Sequence, residues 1–192
     1  MFFQQLVNGI TVGSTYALIA LGYTMVYGII QLINFAHGEI YMIGAFVGLF
    51  LVVQFQVNIG LAIAGAMLTC MVLGVVVERV AYRPLRRSSR LSAFISAIGV
   101  SIFLSTLMTL LRGPQTTRFP DLIEYQFYQI GGTQVSNLQI LILLVSAGLM
   151  LGLQYLVHRT KMGKAMRATA QDMDAALLMG IDVNRIISLT FA

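Results

Sequence analysis

Six consecutive residues, Asn34-Phe35-Ala36-His37-Gly38-Glu39, bring together an amide, an imidazole and a carboxylate in a stretch that holds no other charged side chain before Glu78. Ionisable groups at membrane depth are costly, so each is a functional hypothesis by default. Interrupted helices leave backbone N–H and C=O groups free, and such groups can hold charged solutes near the bilayer midplane. On that reading Asn34, His37, Gly38 and Glu39 line a solute path. The plainer reading puts the segment at the interface, where Asn34 caps the following helix and Glu39 favours its positive end. The plainer reading weighs slightly more, because only one charge is involved and nothing in the sequence fixes its depth. Ser101, Ser105 and Thr109 form a second polar feature, a hydroxyl stripe with a four-residue repeat. Such a stripe lines a polar path or satisfies its own helix and a neighbour.

A third polar stretch runs over residues 163–184. At 100° per residue, Lys164, Arg167, Gln171 and Asp174 share one face, while Met166, Ala170, Met173, Ala176 and Leu177 share the other. The pattern predicts one amphipathic helix of about four turns. Gly180 ends it as a left-handed C-cap, and Asp182 caps the next helix. The polar face is mixed in sign, which suits a protein partner better than a bare anionic lipid surface. No nucleophile stands beside a base, and neither a metal-ligand cluster nor a carboxylate pair can be read from the chain, so it is expected to have no catalytic residues, no metal and no cofactor of its own.

The elements that carry these residues are membrane helices. Of 192 residues 58% are hydrophobic and only 10% charged, against roughly 25% charged in an ordinary soluble domain. The net charge of +5 would suggest nucleic acid in a soluble chain. Here the basic residues lie between apolar runs, where they set orientation, and nucleic-acid binding is discarded. Cys70 is the single cysteine and lies within an apolar run, so no disulfide within the chain is possible.

Hydropathy predicts five spans and the start of a sixth. Residues 1–36 are uncharged, but one helix of that length would run about 54 Å against a hydrocarbon core of about 30 Å. A break between Gly28 and Gly38 is therefore required. The spans are placed at about 2–30, 40–55, 59–77, 91–111 and 138–157, with a last apolar stretch from about 186. The amino terminus lacks a basic region before its apolar stretch, so the first span is read as retained and not as a cleaved signal. Repeats of small residues at Gly9, Gly13 and Ala17, and at Gly60 and Ala64, either allow close helix approach or are scattered by composition.

Orientation follows the basic residues. Arg79, Arg83, Arg86, Arg87 and Arg90 crowd into twelve positions after the third span, and Arg159, Lys161, Lys164 and Arg167 follow the fifth. Both stretches, near 78–90 and 158–185, are expected to face the cytoplasm. The connection between the fourth and fifth spans balances two Arg with Asp121 and Glu124. Its Phe119, Tyr125, Phe127 and Tyr128 suit an outer interface. Counting back places the amino terminus outside.

Asp174-Ala175-Ala176-Leu177-Leu178-Met179-Gly180 resembles the Glu-Ala-Ala, three residues, Gly signature of permease subunits in bacterial ABC importers, with Asp174 in the place of Glu. NGITVGSTYALIALGYTMVYGIIQLINFAHGEIYMIGAF and GKAMRATAQDMDAALLMGID resemble the high-affinity branched-chain amino-acid permeases more closely still, over roughly a third of the chain. The resemblance implies an all-α polytopic membrane helix bundle with a cytoplasmic amphipathic coupling helix, in one transmembrane domain over residues 1–192. It implies a multi-pass protein of the bacterial inner membrane, with a second related permease subunit, two ATPase subunits and an extracytoplasmic substrate-binding protein as partners. ATP and Mg would be used by the ATPase subunits, as the absence here of a G-x-x-x-x-G-K-[ST] loop also suggests. Arg167, Ala170, Asp174, Ala175, Ala176 and Gly180 would form the ATPase-coupling surface, and the chain would be the amino-terminal part of a longer protein. Three other readings stay open: import of urea, another amide or a sugar; ion-coupled secondary transport through His37 and Glu39; and an anchoring subunit that carries no solute.

Overall fold

A computed structural model describes residues 2–86, 88–120, 126–130 and 133–192. Among the described residues five helices are long and apolar enough to cross a bilayer. They are α1 (Phe2–Ile30), α2 (His37–Phe55), α3 (Ile59–Val77), α4 (Arg90–Arg112) and α5 (Asn137–Arg159). Three short helices follow, α6 (Lys161–Gln171), α7 (Met173–Leu178) and α8 (Val183–Phe191). The protein is thus a polytopic helical membrane protein, and its long helices turn large apolar side chains such as Leu68, Leu110 and Leu144 outward, as lipid-facing helices do. The break required after the first span comes at Gln31, whose backbone is left-handed (φ 52°) and whose amide donates to the Tyr27 carbonyl. Asp121, Glu124 and Tyr125 of the balanced connection, and Arg87 of the arginine cluster, lie outside the described residues.

The chain divides into two compact units, one of Met1–Thr24 and Asp121–Lys164, the other of Met25–Pro120 and Ala165–Ala192. In the first unit an antiparallel hairpin, β1 (Phe127–Ile130) with β2 (Thr133–Ser136), pairs Tyr128 with Val135. These strands are an addition to the all-helical expectation. The Gln4 carboxamide brackets the hairpin backbone, donating to the Gln134 carbonyl at 2.8 Å and accepting from its amide at 2.9 Å. Gln139 donates to Asn8 at 2.8 Å, so carboxamides tie the start of α1 to the start of α5. A full capping box between Ser136 and Gln139 starts α5. At the corner from α5 into α6, a side chain at Gly163 would collide with the carbonyl oxygens of Leu156 and Val157.

In the second unit α2 and α3 pack lengthwise. Gly44 and Gly48 of α2 meet Cys70, Ala66 and the Ala62 carbonyl of α3, so small residues four apart on both helices let the backbones approach. The Cys70 thiol donates to the Ile40 carbonyl at 3.4 Å across this seam. The repeats singled out in the sequence do not do this work. Among the described residues nothing lies within 4 Å of a side chain placed at Gly9 or Gly13, one at Gly60 meets only the Asn58 side chain, and Ala64 is exposed. A spacing of four identifies a small-residue face without saying which way that face points.

Two local expectations are corrected. The single amphipathic helix over 163–180 is two helices, because Asp172 leaves helical geometry (φ −155°, ψ 113°) and its carboxylate accepts from the amides of Asp174 and Ala175. An aspartate that can cap competes with helix continuation. Asn34 does not cap α2 with its side chain. The N-cap position is Ala36, without a side-chain cap, and Asn34 contributes only its backbone oxygen, which accepts from the His37 amide at 3.1 Å.

Candidate functional site

The segment before α2 is held from several sides. Ala36 is fully buried, and Phe35 packs edge-on against Phe94 of α4 with centroids 5.3 Å apart. The buried Asn34 oxygen accepts from the Tyr82 hydroxyl at 3.0 Å. Gln31 is exposed and His37 and Gly38 are half-buried, so the segment is only partly covered. Glu39 lies in the first turn of α2 and accepts a hydrogen bond from the Ser101 hydroxyl of α4 at 2.9 Å. Two polar features 62 positions apart in the chain thereby become one group. Ser105 and Thr109, by contrast, are exposed, and Thr109 turns its hydroxyl back to the Ser105 carbonyl. Only the first member of the predicted stripe reaches the carboxylate.

A second network escaped the sequence reading. α3 runs on as a π-helical turn, Glu78–Tyr82, and a 3-10 turn, Arg83–Leu85. The wider turn sets Glu78 and Tyr82 inward, both almost wholly buried. Glu78 forms an ion pair with Arg86 through one oxygen and accepts from the Ser188 hydroxyl of α8 at 2.6 Å through the other. Arg86 also donates to Asn184 at 2.9 Å. Burial lowers the pKa of the Arg86 guanidinium from its ordinary value, Glu78 opposes that shift and Arg83 adds to it. Tyr82 packs its ring against Phe191 at 5.3 Å while its hydroxyl holds Asn34. One π turn therefore joins the segment before α2 to the helix that follows α7. The distances of 48 and 110 positions between these partners explain why no local pattern announced them.

The segment expected to couple to a partner is also built from its residues upward. Met166 and Thr169 of α6 and Ala176 of α7 are buried, so Ala176 serves packing and not an outer surface. Arg167, Asp174 and Ala175 are exposed and Ala170 is partly covered. α7 ends in a Schellman motif: the Ile181 amide donates to the Ala176 carbonyl and the Gly180 amide to that of Leu177, with Gly180 left-handed at φ 83°. Asp182 then caps α8 by accepting from the Arg185 amide at 3.1 Å. The tight turn holds Leu178 and Met179 almost free of cover, at 89% and 83% exposure. A charged helix face thus ends in a protruding apolar tip.

A cavity of about 670 Å³ lies among α2, α3 and α4 and is lined almost wholly by apolar side chains. Arg112 is its one charged lining residue and stacks over Phe50 at 5.4 Å. Glu39 and Ser101 are not among its walls. No group of three metal-ligating side chains forms among the described residues.

Residues 5–192 match the model of a family described as the branched-chain amino acid transport system permease component. The chain is 45% identical over 203 residues to a high-affinity branched-chain amino acid transport system permease protein, BraD, of Pseudomonas aeruginosa. It is 44% identical over 204 residues to the corresponding protein LivH of Escherichia coli K12. Each alignment covers 99% of this chain and 66% of the relative, so the chain spans just under two thirds of their length. A probable branched-chain amino acid transport permease of Methanocaldococcus jannaschii is 26% identical over 178 residues, covering 88% of this chain. No solved structure matches.

Proposed function

We propose, from the premise that this chain belongs to the family of branched-chain amino acid transport permease components, that it is a membrane-spanning subunit of an ATP-driven importer of branched-chain amino acids in the bacterial inner membrane. The observation that carries this reading is the family match over residues 5–192, with relatives named as high-affinity branched-chain amino acid permeases. The subunit is not an enzyme. It forms the passage with a second related permease, receives its solute from an extracytoplasmic binding protein, and is driven by two ATPase subunits that use ATP and Mg.

The coupling surface is the exposed face of α6 and α7, with Arg167, Ala170, Asp174 and Ala175, completed by the tip that Gly180 turns outward. Ala176 contributes from beneath, by packing. A short helix that is capped at both ends and carries exposed Leu178 and Met179 suits insertion into a groove on a partner. Asn34, His37, Gly38, Glu39, Ser101 and Ser105 belong to the passage. The Glu39–Ser101 pair fixes the start of α2 against α4, and closure of the ATPase subunits reaches it through α8 and the π turn that holds Asn34.

The test is uptake by the full-length protein reconstituted with its partners. Leucine, isoleucine and valine should enter only when ATP is supplied on the side of the ATPase subunits, and excess urea or sugar should not compete. Competition by urea or a sugar would reassign the solute. Uptake that follows an ion gradient without ATP, and is lost in Glu39→Gln, would replace the importer reading with secondary transport.

A further inference from the structure

Where α3 gives way to its π turn, a cavity of about 460 Å³ opens between this turn and α8. Its walls include Arg79, Arg83 and Arg185, the apolar Val75 and Leu189, and one carboxylate, Asp182. That carboxylate already caps α8. Arg86 is held away by Glu78, which forms the ion pair of the described residues. Arg79, Arg83 and Arg185 are exposed and form no ion pair with a described carboxylate. Three guanidiniums around one cavity repel one another unless an anion enters, and the field of Arg83 is already felt at Arg86.

The surroundings say which anion fits. The cavity stands at the polar end of a membrane helix, where Val75 and Leu189 supply an apolar wall beside the arginines. A soluble anion has no use for that wall, whereas a phospholipid presents a phosphate beside a glycerol and acyl chains. Guanidinium forks bind phosphate oxygens two at a time, and a volume of this size is that of an ordinary ligand pocket. Basic pockets between membrane helices on the cytoplasmic side are suited to anionic headgroups.

We propose that this cavity binds the phosphodiester headgroup of an anionic phospholipid, held by Arg79, Arg83 and Arg185, with the acyl chains lying along α3. The site depends on the membrane placement of α3 and not on the nature of the transported solute. Occupied, it would neutralise the arginines and brace the π turn against α8.

The experiment is native mass spectrometry of the full-length protein in its isolated complex, exposed to equal amounts of phosphatidylglycerol and phosphatidylcholine. The wild type should retain phosphatidylglycerol selectively. The double variant R79Q/R185Q should lose about twenty-five-fold in retention, at roughly fivefold for each basic residue. R79K/R185K should recover part of the loss by keeping charge without the fork. K161Q/K164Q, which removes the same charge elsewhere, should bind as the wild type does. Equal retention of the two lipids by the wild type would overturn the proposal without recourse to any variant. So would an equal loss in K161Q/K164Q, which would mean diffuse attraction, or displacement of the lipid by inorganic phosphate at matched concentration. Retention that appears only once the companion subunits are stripped off would identify a protein interface instead.

Discussion

The buried pair of Glu78 and Arg86 gives the sharpest energetic prediction. Glu78 is 0% exposed and both its oxygens are engaged, one by Arg86 and one by Ser188. Replacing Arg86 with Met keeps the bulk and removes the cation, which leaves a carboxylate in a low-dielectric site with only a hydroxyl for company. Breaking a buried pair in this way costs about 3–5 kcal/mol. Glu78→Met should cost less, because Arg86 is 14% exposed and can move its charge toward water. The double variant E78M/R86M should come back close to the wild type, since apolar replacement of a buried pair is often neutral within about 1 kcal/mol or better. The assay is reversible unfolding of the full-length protein in mixed micelles, read by helical circular dichroism, for all four members of the cycle. The expected coupling energy of several kcal/mol stands far above the roughly 0.5 kcal/mol within which independent sites add. Additivity within that margin would refute the claim that these residues act as one buried unit.

Gly44→Val should prevent close packing of α2 on α3, because any side chain there meets the Cys70 sulfur. A shift in melting of the purified protein should be partly reversed by adding Cys70→Ala, and no reversal would exclude that contact. Asp172→Ala should remove the cap of α7 at a cost of about 1 kcal/mol, seen as faster hydrogen exchange over residues 173–178 with other helices unchanged. Ser101→Ala should release Glu39 from α4 and lower the uptake rate without dissociating the complex, while Ser105→Ala should do neither. Equal effects of the two serine variants would count against a role for the Glu39 pair.

The long helices were legible because lipid demands uninterrupted apolar length, and that quantity is written in consecutive residues. The break after Ile30 followed from the same arithmetic. Gly180 and Asp182 were readable as caps because capping is local. The hairpin was not read, because Phe127 and Tyr128 suit a membrane interface as well as a strand. The amphipathic pattern of residues 163–180 reads as one helix, and Asp172 interrupts it because an aspartate that caps locally competes with helix continuation. Glu39 and Ser101 were each singled out, but their meeting depends on how α2 crosses α4. Glu78 looked like the edge of an arginine cluster. Its burial follows from a π turn that rotates it inward, and nothing in Glu-Arg-Val-Ala-Tyr announces that turn.

The most direct test of the importer reading is affinity purification of the full-length protein from its native membrane, with mass spectrometry of what accompanies it. A second related permease and two ATPase subunits should be recovered, and lost in Gly180→Pro because proline cannot adopt the positive φ that turns the tip of α7 outward. Membrane insertion should survive that change. Recovery of the protein alone, with amino-acid uptake that tracks an ion gradient, would contradict the account.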